Sequence, residues 1–293
     1  MRRFLAVLPV VLLLAACGGS GASAPSDLVF VSTRDGYYAL YGVGASGGQE
    51  RRLTKGRGDP SSPAGLFFET EPAWSSDGRF IAFASRRDGH SHIYVMRADG
   101  SDVRRLTSGP ADDESPTWSP AGGRIAFARA GALYVVPAKG GPARRLSRGL
   151  GGDAAGPAWS PGGRLIAYGY RRPGWSIQEI WIMRAGGGDP HQLTHLMQVS
   201  ELPSWSPNGS HIAFQSNAHG GHFEIYSIGF DGRGLIRETR SSTDTIQPAW
   251  APNGKEIAFS RGGAIWTVDR LGRERKITSG GNDSSPSWRP LTR

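Results

Sequence analysis

The chain has one cysteine, Cys17, so no disulfide can form within it and its fold must rest on a packed core. It also lacks an apolar run long enough to cross a bilayer. The longest, Phe4 to Ala16, is thirteen residues, whereas a spanning helix needs about 20. What the chain has in abundance is 43 glycines, 20 prolines and 9 tryptophans. Gly and Pro punctuate turns, and Trp favours pleated, half-buried surfaces, which together point to an all-β protein rather than a helical bundle. With 38% apolar content over 293 residues, the length allows one large domain or two ordinary ones.

Arg2 and Arg3 followed by the run Phe4 to Ala16 have the form of a signal peptide, residues 1–16. The run ends in Leu14-Ala15-Ala16-Cys17, which resembles the bacterial lipobox. That resemblance implies a diacylglyceryl group on the Cys17 thiol, whose two acyl chains supply the double signal that stable membrane attachment requires. The alternative is an ordinary secretory signal with an incidental cysteine. Residues 17–26, small and polar from Gly18 to Pro25, read as a flexible tether holding the domain within roughly 15 to 25 Å of the lipid. Without Arg2 and Arg3 the formal charge falls from +9 to +7.

A Pro-x-Trp triplet recurs six times, at Trp74, Trp118, Trp159, Trp205, Trp250 and Trp288, with spacings of 44, 41, 46, 45 and 38 residues. Repeats of this period are the mark of stacked units such as propeller blades. After each of the first five comes a Gly-containing turn and a strand, as in Ile81-Ala82-Phe83, Ile125-Ala126-Phe127 and Ile166-Ala167-Tyr168. A third strand such as Ile93-Tyr94-Val95 follows, and then a fourth ending in a motif such as Arg105-Leu106-Thr107. Four short strands per repeat make one blade, which cannot bury both faces until others stack beside it. The N-terminal segment offers Leu28-Val29-Phe30, Ala39-Leu40-Tyr41 and Arg52-Leu53-Thr54 without a Trp strand, and the C-terminus offers Pro286-Ser287-Trp288. Joined, they complete a sixth blade. The expected fold is therefore an all-β, single six-bladed β-propeller over 27–293, its ring closed by N- and C-terminal strands, with no sheet edge open at the seam.

The pattern Pro-x-Trp-Ser-Pro-x-Gly-x-x-Ile-Ala-Phe, then Ile-Tyr, an Asp-Gly turn and Arg-Leu-Thr, resembles the propeller repeats of TolB proteins of the Tol-Pal envelope system. The likeness covers residues 27 to 290. It implies a non-catalytic propeller that receives protein partners on the face where its channel opens. The family's α/β N-terminal domain is not expected in these residues. Similar repeats occur in the propellers of prolyl-oligopeptidase-like peptidases and oligogalacturonate lyases. An enzyme processing envelope or polysaccharide material, or a non-catalytic relative of peptidase propellers, is thus the competing reading.

In a propeller the Trp strand is innermost, so the segment before it lies at the channel mouth, and antiparallel geometry puts the loop between second and third strands on the same face. The mouth segments carry Glu69, Glu71, Asp112, Asp113, Glu114, Asp153, Glu201, Asp244 and Asp283, at least one carboxylate per blade. Either they form an acidic ring that attracts cations or basic peptides, or they cap the turn into the strand through backbone N–H groups. The same-face loops hold Arg86, Arg87, His90 and His92 in blade two, Tyr170, Arg171, Arg172 and Trp175 in blade four, and Asn217, His219 and His222 in blade five. Arg and aromatic side chains are common interface anchors, and Trp175 stands outside the repeated strand positions. It either anchors a partner or packs over a neighbouring loop.

No catalytic residue is identified. The His pairs at 90/92 and 219/222 have ligand-like spacing, but they lie three blades apart and cannot share one ion. No cofactor is expected. If a metal is held, Ca²⁺ on the channel-mouth carboxylates suits the hard oxygen donors best. The arginines at 51, 52, 104, 105, 144 and 145 on the outer strands block edge-to-edge pairing or meet anionic envelope polymers. The expectation is a monomeric, extracytoplasmic, lipid-anchored scaffold. It would bind an envelope protein or peptide, touch the membrane through the lipid on Cys17, and take no nucleic acid.

Overall fold

The computed structural model describes residues 27–54 and 69–291. The segments expected to be a signal peptide and tether, with Cys17, lie outside the described residues. Six four-stranded antiparallel sheets are arranged as blades, as the repeat predicts. We number them from the seam, so that blade one contains Trp288 and blade two Trp74. The innermost strands are Ser284–Trp288, Glu69–Trp74, Asp113–Trp118, Asp153–Trp159, Ser200–Trp205 and Thr245–Trp250 for blades one to six. In blade one, Leu28–Ser32 pairs with Ser284–Trp288, setting Leu28 opposite Trp288, so the chain ends close the ring without a covalent link.

The core is six layers, each between two adjacent blades. Strand alternation explains the Ile-Ala-Phe motif, because successive side chains take opposite faces. Ile81 and Phe83 of blade two pack with Val29, Val31 and Leu40 of blade one. Ala82, on the other face, packs with Trp118, Ile125 and Phe127 of blade three. Large side chains on one face and a small one on the other let neighbouring sheets approach without voids.

The Arg-Leu-Thr motif ends blades one and two, and variants of it end the other four. The outer strand pairs regularly over two residues in blade two, Arg104–Arg105, and the next two then tuck inward. Leu106 and Thr107 both donate their N–H to the Ile93 carbonyl, while the Thr107 hydroxyl accepts the Ile93 N–H at 2.9 Å. The same hydroxyl bond recurs on Leu40, Leu133, Ile180, Ile225 and Ile265.

Proline sits in every innermost strand because that strand is the channel edge and needs no outward N–H. Each of these strands also carries a one-residue bulge. Glu71 and Pro72 together oppose Phe83, and the register shifts equivalently in the other five blades. The residue before each proline has positive φ: Glu71 53°, Ser115 53°, Gly156 57°, Leu202 52°, Gln247 59° and Ser285 52°. A bulge in the left-handed conformation aims that side chain into the channel.

Candidate functional site

The channel mouth and the second-to-third-strand loops do share a face. Ser91, in the blade-two loop, donates its hydroxyl to the Asp113 carbonyl at 2.9 Å and its N–H to Asp112 Oδ1 at 2.7 Å. Phe223 in blade five donates its N–H to Asp244 Oδ1 at 2.8 Å.

The nine carboxylates do not form one acidic ring. They sort by depth, for reasons of local pairing. Glu69, Asp113 and Asp283 stand at the same position, three residues before the proline, and are buried. Each is met by an arginine from the end of the neighbouring strand: Arg87 on Glu69 at 2.5 Å, Arg129 on Asp113 Oδ2 at 2.8 Å, and Arg34 on Asp283 at 2.8 Å. Each guanidinium also lies over a cross-strand aromatic pair. Arg34 is 4.7 Å from the Tyr41 ring centroid, Arg87 4.6 Å from Tyr94, and Arg129 5.2 Å from Phe127. Burial pushes the Glu69 carboxyl up, against the pull of the Thr54 hydroxyl bond and the Arg87 charge.

Nearer the surface, Asp112 takes Arg86 at 2.5 Å, Asp153 pairs with Arg171, and His222 stands 3.8 Å from Asp244. Asp112 and Asp244 thus also cap loop N–H groups, as the capping reading expects. Glu114 is exposed and has no hydrogen bond or ion pair among the described residues. Glu201 accepts from Gln215 Nε2 at 2.9 Å, and burial raises its pKa.

One carboxylate of the nine lines the channel cavity itself. This space of about 140 Å³ is bounded by the six prolines and by Glu71, Ser115, Gly156, Leu202, Gln247 and Ser285. Glu71 accepts the Ser115 N–H at 2.5 Å and its hydroxyl at 3.0 Å, and burial pushes its carboxyl upward. Two blades away around the ring, Gln247 donates to Ser285 Oγ at 2.9 Å and accepts the Ser285 N–H at 2.8 Å. It also donates its own N–H to Gln215 Oε1 at 2.7 Å. Ser115, Leu202, Gln247 and Ser285 were not among the residues singled out from the sequence. The signal that marks them is their place immediately before Pro-x-Trp. Arg34 and Arg129 were also missed, since nothing in the sequence ties them to carboxylates far along the chain.

The loop residues divide as well. Tyr170 is not exposed: it is 5% accessible, its ring meets Trp181 edge-on at 5.0 Å, and its hydroxyl accepts the Gly152 N–H at 3.1 Å. Arg87 points inward to Glu69 rather than to a partner. His92 is buried 3.6 Å from Asp113, and burial, followed by the Arg105 charge, lowers its pKa. His219 stacks on Tyr226 and shares a 2.6 Å hydrogen bond with its hydroxyl. Asn217 Oδ1 accepts the Val199 N–H at 3.0 Å, fixing the loop. Tyr170, Arg87, His92 and Asn217 pack the face rather than present it, whereas His219 stays exposed. Arg86, His90, Arg171, Arg172, His222 and Trp175 remain at the surface. Trp175 is 45% exposed, with the Arg172 guanidinium 5.5 Å from its ring and 5.1 Å from that of Trp181. Among the described residues no three His, Cys, Asp or Glu side chains gather as metal ligands.

Comparison with known proteins agrees with this architecture. The chain is 31% identical over 214 residues to tricorn protease homolog 1 of Streptomyces coelicolor, covering 68% of this chain and 20% of that one. It is 34% identical over 87 residues to the Tol-Pal system protein TolB of Geobacter sulfurreducens, covering 30% and 18%. The crystal structure of TolB from Acinetobacter baumannii superposes with a TM-score of 0.74 at 20% identity, over 90% of this chain and 66% of that one, a likeness of fold. The chain spans half or less of the length of the curated relatives it matches. The sequence model of the TolB beta propeller domain matches residues 64–168 and 149–293. With six blades closed by the chain ends and that match over most of its length, the chain belongs to the TolB β-propeller domain family.

Proposed function

We propose that this protein is a lipid-anchored, extracytoplasmic binding scaffold that docks an envelope protein or peptide through the channel face. The observation that carries the reading is Trp175, a large aromatic left 45% exposed on that face and braced by Arg172. A Trp or Tyr held rigid beside an arginine is the usual energetic centre of a protein interface. On the same face Arg86, His90, Glu114 and His222 are exposed charged or titratable groups of the kind found in interface rims. Kinship with proteins named for the Tol-Pal system supports the cell envelope as the setting. A non-catalytic role is supported by the channel cavity, where both Glu71 oxygens are already engaged by Ser115.

The test is site-specific photo-crosslinking in intact cells, with the reactive residue at position 175 or 86. A discrete envelope-protein adduct is expected, lost when Arg172 and Trp175 are both changed to Ala while thermal stability is kept. Adducts of equal yield in the double variant, read from position 86, would remove the channel face as the docking surface.

A further inference from the structure

The face opposite the channel mouth carries two sets of turns, those joining first to second strands and third to fourth. Hydrogen bonds tie the sets together: Ala98 N–H to the Arg79 carbonyl at 2.9 Å, Ala185 N–H to Arg164 at 2.9 Å, and Phe230 N–H to Ser210 at 3.1 Å. Of the large apolar side chains exposed among the described residues, Trp175 and Met197 lie on the channel face. Val103, Phe230, Leu235, Ile236, Leu271 and Leu291 lie on the turn face, Leu271 77% and Leu291 67% exposed. Exposed apolar residues scattered singly need no explanation. These belong to blades five, six, one and two, which are consecutive around the ring and span the seam.

Asp27, the first described residue, lies in the same arc. Leu28 enters blade one from the turn face, and Asp27 is held there on three sides. Its N–H donates to the Val43 carbonyl at 3.1 Å, its carbonyl accepts the Arg289 N–H at 2.7 Å, and its Oδ2 accepts the Ala45 N–H at 3.1 Å. Leu291 lies two residues beyond Arg289. Cations flank the apolar groups. Arg79, Arg233, Lys255 and Arg270 are exposed and, among the described residues, join no ion pair. The turns also carry carboxylates: Asp77 accepts the Arg79 N–H, Asp231 the Arg233 N–H and Asp269 the Leu271 N–H, while Asp102 pairs with Arg97 and Asp269 with Arg273.

We propose that this turn face is a lipid-contact surface, seated on an anionic bilayer at the blade-five-to-two arc and holding the channel mouth away from the membrane. The inference rests on the lipid-anchor reading of Cys17. Exposed apolar side chains on a face that also carries Arg and Lys outside any ion pair suit an interfacial, anionic-lipid contact. A tether leaving from the middle of the arc keeps that contact at high local concentration.

The test uses the lipidated full chain reconstituted in phosphatidylglycerol vesicles that carry a nitroxide-headgroup lipid. Single cysteines at Leu271→Cys on the turn face and Ser242→Cys on the channel face are labelled with a fluorophore, Cys17 being blocked by its lipid. Quenching at 271 is expected to exceed that at 242 several-fold, and to drop when Arg233 and Arg270 are changed to Glu or the vesicles to phosphatidylcholine. Equal quenching at both positions, or more at 242, overturns the proposal. Failure of the anchor reading shows separately, as a Cys17→Ser chain that stays in the membrane fraction after high-salt washing. In that event the chain added to the same vesicles at excess lipid gives the same two-label comparison, and the proposal stands or falls on it.

Discussion

Blades one to three and blades four to six are built on one repeat but hold their inner strands differently. At the position three residues before the proline, the first half has Asp283, Glu69 and Asp113, and the second has Ala154, Ser200 and Thr245. The first three are latched to the second strand by Arg34, Arg87 and Arg129. In the second half the polar work moves outward: Glu179 and Glu224, on third strands, take the Thr194 and Thr239 hydroxyls. The latch matters most in blade one, where no hairpin joins the first strand to the second. There Arg34 on Asp283, the Ser32 hydroxyl on the Gly281 carbonyl at 3.1 Å and the Thr33 N–H on the same carbonyl at 3.2 Å tie the channel-mouth end, and the Arg289 N–H on the Asp27 carbonyl at 2.7 Å ties the end where the hairpin is missing. A buried charge pair costs desolvation, so it is an expensive tie whose return is a defined register.

Five changes would break or sharpen that comparison. Trp288 and Trp205 are a matched pair, 9% and 8% exposed, each donating Nε1–H to a carbonyl of the preceding blade at 3.1 Å. Changing either to Ala should cost about 4 kcal/mol in urea denaturation. Only Trp288→Ala should also strip hydrogen-exchange protection from Val29 and Val31, and equal loss of protection in both variants would end the idea that the seam is special. Next, Asp113→Asn leaves Arg129 without its carboxylate and should cost about 3 kcal/mol, whereas Asp153→Asn, in an exposed pair, should cost under ~1 kcal/mol. Equal costs would mean that the latch holds nothing.

The smallest of these effects is in pH. Burial raises the Glu201 pKa above its ordinary value of 4.5, so the folded state binds the proton more tightly than the unfolded state does. Stability from this group is therefore greatest below 4.5 and falls as pH rises through the folded value, a slope opposite to that of a salt-bridged carboxylate. Glu201→Gln should flatten the rise in denaturation midpoint between pH 7 and pH 5 while retaining the Gln215 bond. An unchanged slope would assign the pH response to Glu71 or Glu69 instead.

The blade count was legible because packing repeats. A Trp every 38 to 46 residues and an Ile-Ala-Phe strand after it each fill the same place between two sheets. The channel face was legible as a surface, since strand alternation and hairpins leave the loops no other end of the blade. Its internal pairing was not. Glu69 and Trp175 look alike in a sequence scan as polar or aromatic residues before or between strands, yet one is buried under Arg87 and the other stands in solvent. Tyr170, next to Arg171 in a loop-like stretch, was expected outside and lies inside because strand Leu165–Arg171 runs further than its motif.

The sequence by itself determined an all-β ring of six blades, the strand that lines the channel and the way the two ends meet. Those follow from local alternation and from a period that survives averaging over six copies. Only the tertiary structure decided which carboxylates are neutralised, because an ion pair such as Arg34 with Asp283 joins residues 249 apart and depends on a few ångströms of side-chain reach. It also decided that the channel is lined by the residues before the prolines. That follows from a bulge geometry which the order of residues signals but does not display.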